Sequence, residues 1–238
     1  MRLCDARILV VDDEPMLLEI CGQWLTDGEE PKLISTAGDG QEALELIAEN
    51  TYDLLITDVK MPRMDGISLV RRLGQSEKAL PAIIFVSGFG DLDEQEMYGL
   101  GVEAFLAKPV ARETLIRTAE RALAQRSSLW RERLEIRPKQ SILIEASDFC
   151  ESAVDGGIVL GRGGFSAPYA RPVAPGRVSF ECRLSASGSR MTGEGFVRWR
   201  SRAEGTVGIE LAFLDESCRA ATAEAIESKH PRAFIPAL

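Results

Sequence analysis

The chain has 238 residues, 45% of them hydrophobic, and a formal net charge of -9. It is long for one compact domain and rich enough in apolar residues for two cores. Apolar runs stay short of the ~20 residues of a membrane span, and the N-terminus MRLCDARILVVDD is charged where a secretion signal needs an apolar stretch. A cytoplasmic location without membrane insertion is the expectation. Five scattered cysteines, Cys4, Cys21, Cys150, Cys182 and Cys218, lack the close pairing of a zinc site and read as reduced thiols.

The first strand is expected over residues 8–12, from Ile8-Leu9-Val10-Val11, and ends in Asp12-Asp13. Pro15 then opens a helix through Met16-Leu17-Leu18, Ile20-Cys21 and Trp24-Leu25, an i, i+3/i+4 spacing, with Gly28 at its end. A short strand at 32–35 leads through Asp39-Gly40 into a helix that buries Ala43, Leu44, Leu46 and Ile47. The run Leu54-Leu55-Ile56 carries a buried strand to Asp58, and the loop turns through Met61-Pro62 and Asp65-Gly66 into a helix with Ile67, Leu69, Val70 and Leu73 inward. A fourth strand over 82–87 runs into Gly88-Phe89-Gly90, a helix over 92–100 closes at Gly101, and a fifth strand, Ala104–Ala107, ends in Lys108-Pro109 before a helix over 113–124. Strands alternating with helices imply α/β architecture, a five-stranded doubly wound parallel sheet covered on both faces. Asp12, Asp13, Asp58 and Lys108 then converge on one edge of that sheet, where such folds place their chemistry.

The composition changes at Arg126. Before it stand 12 Lys and Arg against 23 Asp and Glu, and from it onward 16 against 14. The segment 126–137 is charged and continues the preceding helix as a linker until Pro138 stops it. Beyond lie short runs of strand type at 141–145, 157–160, 177–184, 193–200 and 205–213, separated by turns at Asp155-Gly156, Gly163-Gly164, Pro175-Gly176 and Ser187-Gly188. They predict a small antiparallel β-barrel over 138–238, with a C-terminal helix at 216–228.

At its acidic edge the chain resembles the receiver domain of two-component response regulators, a flavodoxin-like fold, over roughly residues 7–125 of a domain expected at 1–125. The resemblance rests on VVDDE at 10–14, TDVKMPRMDG at 57–66, FVSG at 85–88 and FLAKP at 105–109. Clustered carboxylates need a cation or must protonate, and hard oxygen ligands suit Mg2+. The resemblance implies that Asp13, Asp58 and the Lys60 carbonyl bind Mg2+ directly and Asp12 through water. It makes Asp58 the phosphoacceptor, Lys108 its counter-ion, and Ser87 the hydroxyl that bonds a phosphoryl oxygen. Phe105 stands where the family carries a switch aromatic, and reads equally well as core. The sole histidine, His230, lies beside Lys229 and Pro231 as a solvated tail residue. The donor is therefore expected to be a separate sensor histidine kinase or phosphotransfer protein.

The second half resembles PilZ domains, which bind cyclic di-GMP. Arg133 and Arg137 have the RxxxR spacing, followed by GIVLGRGGF at 157–165, GFVRWR at 195–200 and GTVGIELAFL at 205–214. Arginine can stack on guanine, bond its edge and pair with phosphate. The family's [DN]-x-S-x-x-G motif falls on Val159–Gly164 and only Gly164 matches, so Val159 and Gly161 lack polar contacts that Arg162 would have to replace. A solvated charge run is the other reading of Arg133 and Arg137, and Trp199 reads as a core aromatic.

Two functions follow. In one, the chain is a phosphoacceptor signalling protein, not a multi-turnover enzyme, whose receiver state is relayed to a PilZ-like output that binds cyclic di-GMP weakly. In the other, the barrel is a protein-docking adaptor without nucleotide. Both allow a downstream protein partner and a homodimer. DNA is not an expected partner, because the second half is barely basic and has no helix-turn-helix pattern.

Overall fold

The computed structural model describes residues 3–26, 33–76, 80–88, 94–124, 129–150, 156–229 and 231–236. The expected helix end at Gly28, the Phe89-Gly90 turn and the tail histidine His230 lie outside them. Elements follow the order β1 (Ile8–Val11), α1 (Pro15–Thr26), β2 (Ile34–Ala37), α2 (Gly40–Glu49), β3 (Leu54–Asp58), α3 (Gly66–Gly74), β4 (Ala82–Ser87), α4 (Glu94–Leu100), β5 (Val102–Ala107) and α5 (Arg112–Leu123). They continue with β6 (Gln140–Ala146), β7 (Phe149–Cys150), β8 (Ile158–Leu160), β9 (Gly164–Pro168), β10 (Gly176–Leu184), β11 (Arg190–Ser201), β12 (Thr206–Leu214) and α6 (Glu216–Lys229). The chain divides into two compact units, Met1–Leu92 with Val102–Ala124, and Asp93–Gly101 with Gln125–Leu238. Thus α4, expected among the helices of the first sheet, groups with the second unit.

In the first unit five strands form a parallel sheet in the order β2-β1-β3-β4-β5. Strands β1 and β3 are buried along their whole length, which is why they read as unbroken apolar runs. Ile8, Val10, Leu54, Ile56 and Ile84 share a core with Leu115 and Ala119 of α5, and half-buried Leu18, Cys21 and Trp24 of α1 pack against it. Local chemistry fixes the loops that reach the acidic edge. Asp39 caps α2, accepting from the N–H groups of Gln41 (2.7 Å) and Glu42 (3.0 Å), and the Glu42 carboxylate accepts in return from Gly38 N–H at 2.7 Å. Asp65 caps α3 through Ser68 N–H at 2.6 Å.

The second unit carries a seven-stranded sheet in the order β6-β10-β11-β12-β9-β8-β7. It is mixed, a correction to the antiparallel expectation: β6 runs parallel to β10 and β7 parallel to β8, while the other pairs are antiparallel. The parallel pair arises because the chain leaves β6 and crosses through β7, β8 and β9 before returning beside it. Register shifts at Glu194/Gly195 and Val197/Trp199 bend β11, and β6 comes near β9, so the sheet curls into a half-barrel. Inside it, alternate residues of β6 (Ile142, Ile144, Ala146) and β10 (Val178, Phe180, Cys182, Leu184) meet Cys218, Ala223 and Ile226 of α6. Phe165 and Phe180 meet edge to face with centroids 5.2 Å apart.

The expected helical linker is corrected too. Described residues 129–139 contain no helix. Trp130 has φ 61 and is buried in the second unit's core, so burying this aromatic ring wins over continuing the charged helix.

The cysteines are free, and burial pushes the Cys182 thiol well above its ordinary pKa, with the neighbouring Cys218 and Glu181 adding to it. Alkylation of the folded protein at mildly alkaline pH should therefore label exposed Cys4 readily, and Cys182 only after denaturant. Mass mapping of the labelled cysteines checks this; rapid native labelling of Cys182 would contradict the packing of β10.

Candidate functional site

Strands β1 and β3 are neighbours, so the residues at their C-terminal ends are adjacent in space. Asp58 closes β3 and is 7% exposed, Asp12 follows β1 and is 6% exposed, and Asp13 faces solvent. One oxygen from each of Asp12, Asp13 and Asp58 lies within 4.8 Å of the others. The Lys108 ammonium, delivered just beyond β5, donates to Asp58 Oδ2 at 2.6 Å and Asp12 Oδ2 at 2.8 Å, with Glu14 Oε1 at 3.6 Å. Burial works against the charge on Lys108, but its hydrogen bonds to Asp12 and Asp58 and their negative charges outweigh that cost and hold its pKa above the ordinary lysine value.

Backbone groups orient the carboxylates. Lys60 N–H donates to Asp58 Oδ1 at 3.1 Å, and Glu14 N–H to Asp12 Oδ1 at 2.9 Å. Thr57, fully buried, donates its hydroxyl to the Asp58 carbonyl at 2.9 Å. Ser87 ends β4, and its hydroxyl donates to Gly88 O at 3.0 Å, while its carbonyl accepts from Lys108 N–H at 2.8 Å. Phe105 is half-buried and meets Phe85 edge to face at 6.0 Å between centroids. The Lys108-Pro109 peptide bond is cis.

This donor set fits a hard divalent cation. Three carboxylates against one ammonium leave the cluster net negative, and oxygen-only ligands with one exposed member leave room for water in the remaining positions, as Mg2+ requires. Beside the cluster lies a cavity of about 450 Å³ walled chiefly by apolar residues, among them Leu17, Cys21, Trp24, Val86 and Leu115. The inward spacing of Leu17, Cys21 and Trp24 is visible in the sequence, but the space that it leaves is not.

The arginines proposed for nucleotide binding are not brought together as a free set. Arg133 pairs with Glu194 at 2.8 Å and Asp215 at 2.9 Å and lies over the Phe213 ring, 4.2 Å from its centroid. Glu194 is buried and also accepts from Leu134 N–H at 3.1 Å. The Arg133 side chain is 60% exposed and held by these two carboxylates. Arg137 is exposed. The Arg162 guanidinium donates to the Gly101 carbonyl, and its N–H donates to Ala233 O at 2.8 Å. Gly164 accepts from Gly161 N–H at 2.8 Å, and a Cβ there would sit 2.2 Å from Ile209 O. Glu194 and Asp215, which neutralise Arg133, were not expected from the sequence; both lie far from it along the chain.

Residues 8–120 match the family model described as response regulator receiver domain. The first unit is a receiver domain of the two-component type. Over 105 residues the chain is 39% identical to a protein-glutamate methylesterase/protein-glutamine glutaminase of Syntrophomonas wolfei, covering 43% of this chain and 30% of that protein. It is 38% identical over 102 residues to the response regulator GtcR of Aneurinibacillus migulanus, covering 43% and 41%. The chemotaxis response regulator CheY4 of Vibrio cholerae aligns structurally at 32% identity and a TM-score of 0.45, over 50% of this chain and 98% of that one. The chain thus spans less than half the length of these curated relatives. Among the described residues no helix is long and apolar enough to cross a membrane.

Proposed function

We propose that Asp58 accepts a phosphoryl group from a separate sensor histidine kinase or phosphotransfer protein, and that the second unit is a PilZ-like docking module that carries the signal to a downstream protein. The observation that carries the first part is the Lys108 ammonium shared between Asp12 and Asp58 at 2.8 and 2.6 Å. One Asp58 oxygen attacks phosphorus in line, the bond from phosphorus to the donor breaks with its electron pair leaving on the donor, and an acyl phosphate forms. Asp12, Asp13, Asp58 and the Lys60 carbonyl would hold Mg2+, which when bound offsets repulsion between the carboxylates and the incoming phosphoryl oxygens. Lys108 then moves its hydrogen bonds to those oxygens, and Ser87 exchanges its bond to Gly88 O for another. Incubation with acetyl phosphate, with and without Mg2+, followed by mapping of the acyl phosphate, tests this; label at a residue other than Asp58 would sink it.

Lys108→Ala separates uptake from response. Its ammonium directly contacts Asp58, so its loss should leave labelling measurable while removing most of the conformational response. Hydrogen exchange of labelled and unlabelled protein reads the response; a wild-type change in the variant would rule out the coupling role.

Engagement of Arg133 by Glu194 and Asp215 supports the nucleotide-free reading of the second unit. The alternative, weak cyclic di-GMP binding through Arg133, Arg137, Arg162 and Gly164, requires those ion pairs to open. Calorimetry of the full chain with cyclic di-GMP at two salt concentrations decides between them, since binding led by phosphate charge weakens as salt rises. A tight, guanine-selective signal would replace the docking reading.

A further inference from the structure

Within the second unit, the loop Gly161–Gly164, α4 and the segment 232–236 are fastened to one another. Arg162 N–H donates to Ala233 O at 2.8 Å and Gly163 N–H to Phe234 O at 3.0 Å. On the other side Phe234 N–H donates to the Tyr98 carbonyl at 2.9 Å, and the two rings stack at 5.9 Å between centroids with 27° between their planes. The Arg162 guanidinium reaches the carbonyl of Gly101, directly after α4. Two N–H groups and a carbonyl facing this bent segment read its backbone, whatever its side chains, and the pockets alongside supply the selectivity.

Those pockets are made by missing Cβ atoms. A Cβ on Gly163 would lie 2.0 Å from the Phe234 ring, and one on Gly161 would lie 2.4 Å from Phe234 O and 2.7 Å from Pro236 Cδ. Phe234 is 5% exposed and Ile235 is fully buried. The GRGG sequence therefore has a steric reason: it leaves room for a peptide where the resembled motif would place a serine at Gly161.

We propose that the 161–164 loop and α4 form a docking groove for an aromatic-aliphatic-proline peptide, occupied here by the chain's own Phe234-Ile235-Pro236, which acts as a latch on α4. The proposal deepens the docking reading of the second unit and rests on it. A downstream partner presenting the same pattern would displace the latch and release α4, the segment that joins β4 to β5 in the chain.

The test is hydrogen exchange of the full-length protein at amides 94–101, 161–164 and 233–235. Phe234→Ala should raise exchange at all three by about 100-fold, the scale expected when a buried aromatic anchor is lost and a local opening is set free. Gly163→Ala closes the same pocket from the opposite wall. If ring and glycine act together, the double variant should exchange no faster than the single ones, whereas additive effects would mean that the two act separately and would overturn the latch. A chain ending at Pro231 should be released as well, and a peptide of residues 229–238 added in trans should restore protection, while the same peptide with Phe234→Ala should not. Unchanged exchange at 94–101 in Phe234→Ala overturns the proposal, as does protection that falls on dilution, which would put the tail in a second copy. Cyclic di-GMP is added to the Pro231-terminated chain as a separate arm. Binding there would defeat the docking reading, with the exchange data still reporting on the latch itself.

Discussion

Asp58→Ala is expected to abolish phosphoryl uptake from acetyl phosphate, leaving no acyl phosphate above background, while the first unit stays folded. Asp58 donates no hydrogen bond that the fold requires. Its Oδ2 accepts from Lys108 and its Oδ1 from Lys60 N–H, and after truncation Lys108 keeps Asp12 at 2.8 Å. No buried charge is stranded, so the several kcal/mol that follow from breaking a buried pair are not expected. Removing one of three clustered carboxylates also relieves repulsion, and without Mg2+ the variant should melt at or above the wild-type temperature. With Mg2+ the order reverses, because binding to the native state alone stabilises by RT ln(1+[L]/Kd), and the variant has lost a ligand. Asp58→Asn should be equally inactive, since an amide oxygen cannot form the acyl phosphate. Thermal unfolding with and without Mg2+, beside the labelling assay, checks both halves. Residual labelling in Asp58→Ala would mean that Asp12 or Asp13 can act as nucleophile.

The first unit was legible because its central strands are buried on both faces, so each is an apolar run that stops at the acidic cluster. Leu54–Asp58 and Ile8–Val11 are of this kind, and the acids that follow them meet because β1 and β3 are adjacent. The weaker element was β2, expected at 32–35 and found at Ile34–Ala37, where a short and partly polar strand carries little pattern. In the second unit β9 went unrecognised. Gly163-Gly164 looks like a turn, yet Gly164 begins a strand and must lack a Cβ because Ile209 O lies against it. The RxxxR spacing was visible, but the state of Arg133 was not. Spacing fixes where a guanidinium can point, whereas Glu194 and Asp215 reach it only through the pairing of β11 with β12 and the turn into α6. Gly161 reads as a missing polar contact and Gly163 as part of a turn; their role against the 233–236 segment depends on long-range packing that local patterns do not encode.

Gly66→Ala should damage both stability and phosphoryl uptake. Gly66 opens α3 just after the loop from Asp58, and its N–H donates to Val59 O at 3.0 Å. A Cβ there would lie 2.1 Å from the Asp58 carbonyl oxygen and 3.2 Å from Thr57 Oγ1. The obstacle is backbone of the strand that carries Asp58, so no flexible side chain can swing aside. Moving α3 outward would pull Leu69, Val70 and Leu73 from the buried positions they occupy. Moving Asp58 would disturb its bonds to Lys108 and to Lys60 N–H. Overpacking of this kind costs about 1–3 kcal/mol. A nucleophile displaced by about 1 Å can lose on the order of 100-fold in rate. The two responses can be told apart. If the helix yields, the melting temperature falls and the labelling rate per folded molecule is kept; if the strand end yields, labelling falls more than stability does. Thermal unfolding together with the initial rate of acetyl phosphate labelling under saturating Mg2+ gives both numbers. Wild-type values for both would show that the contact between Gly66 and Asp58 is not what positions the carboxylate.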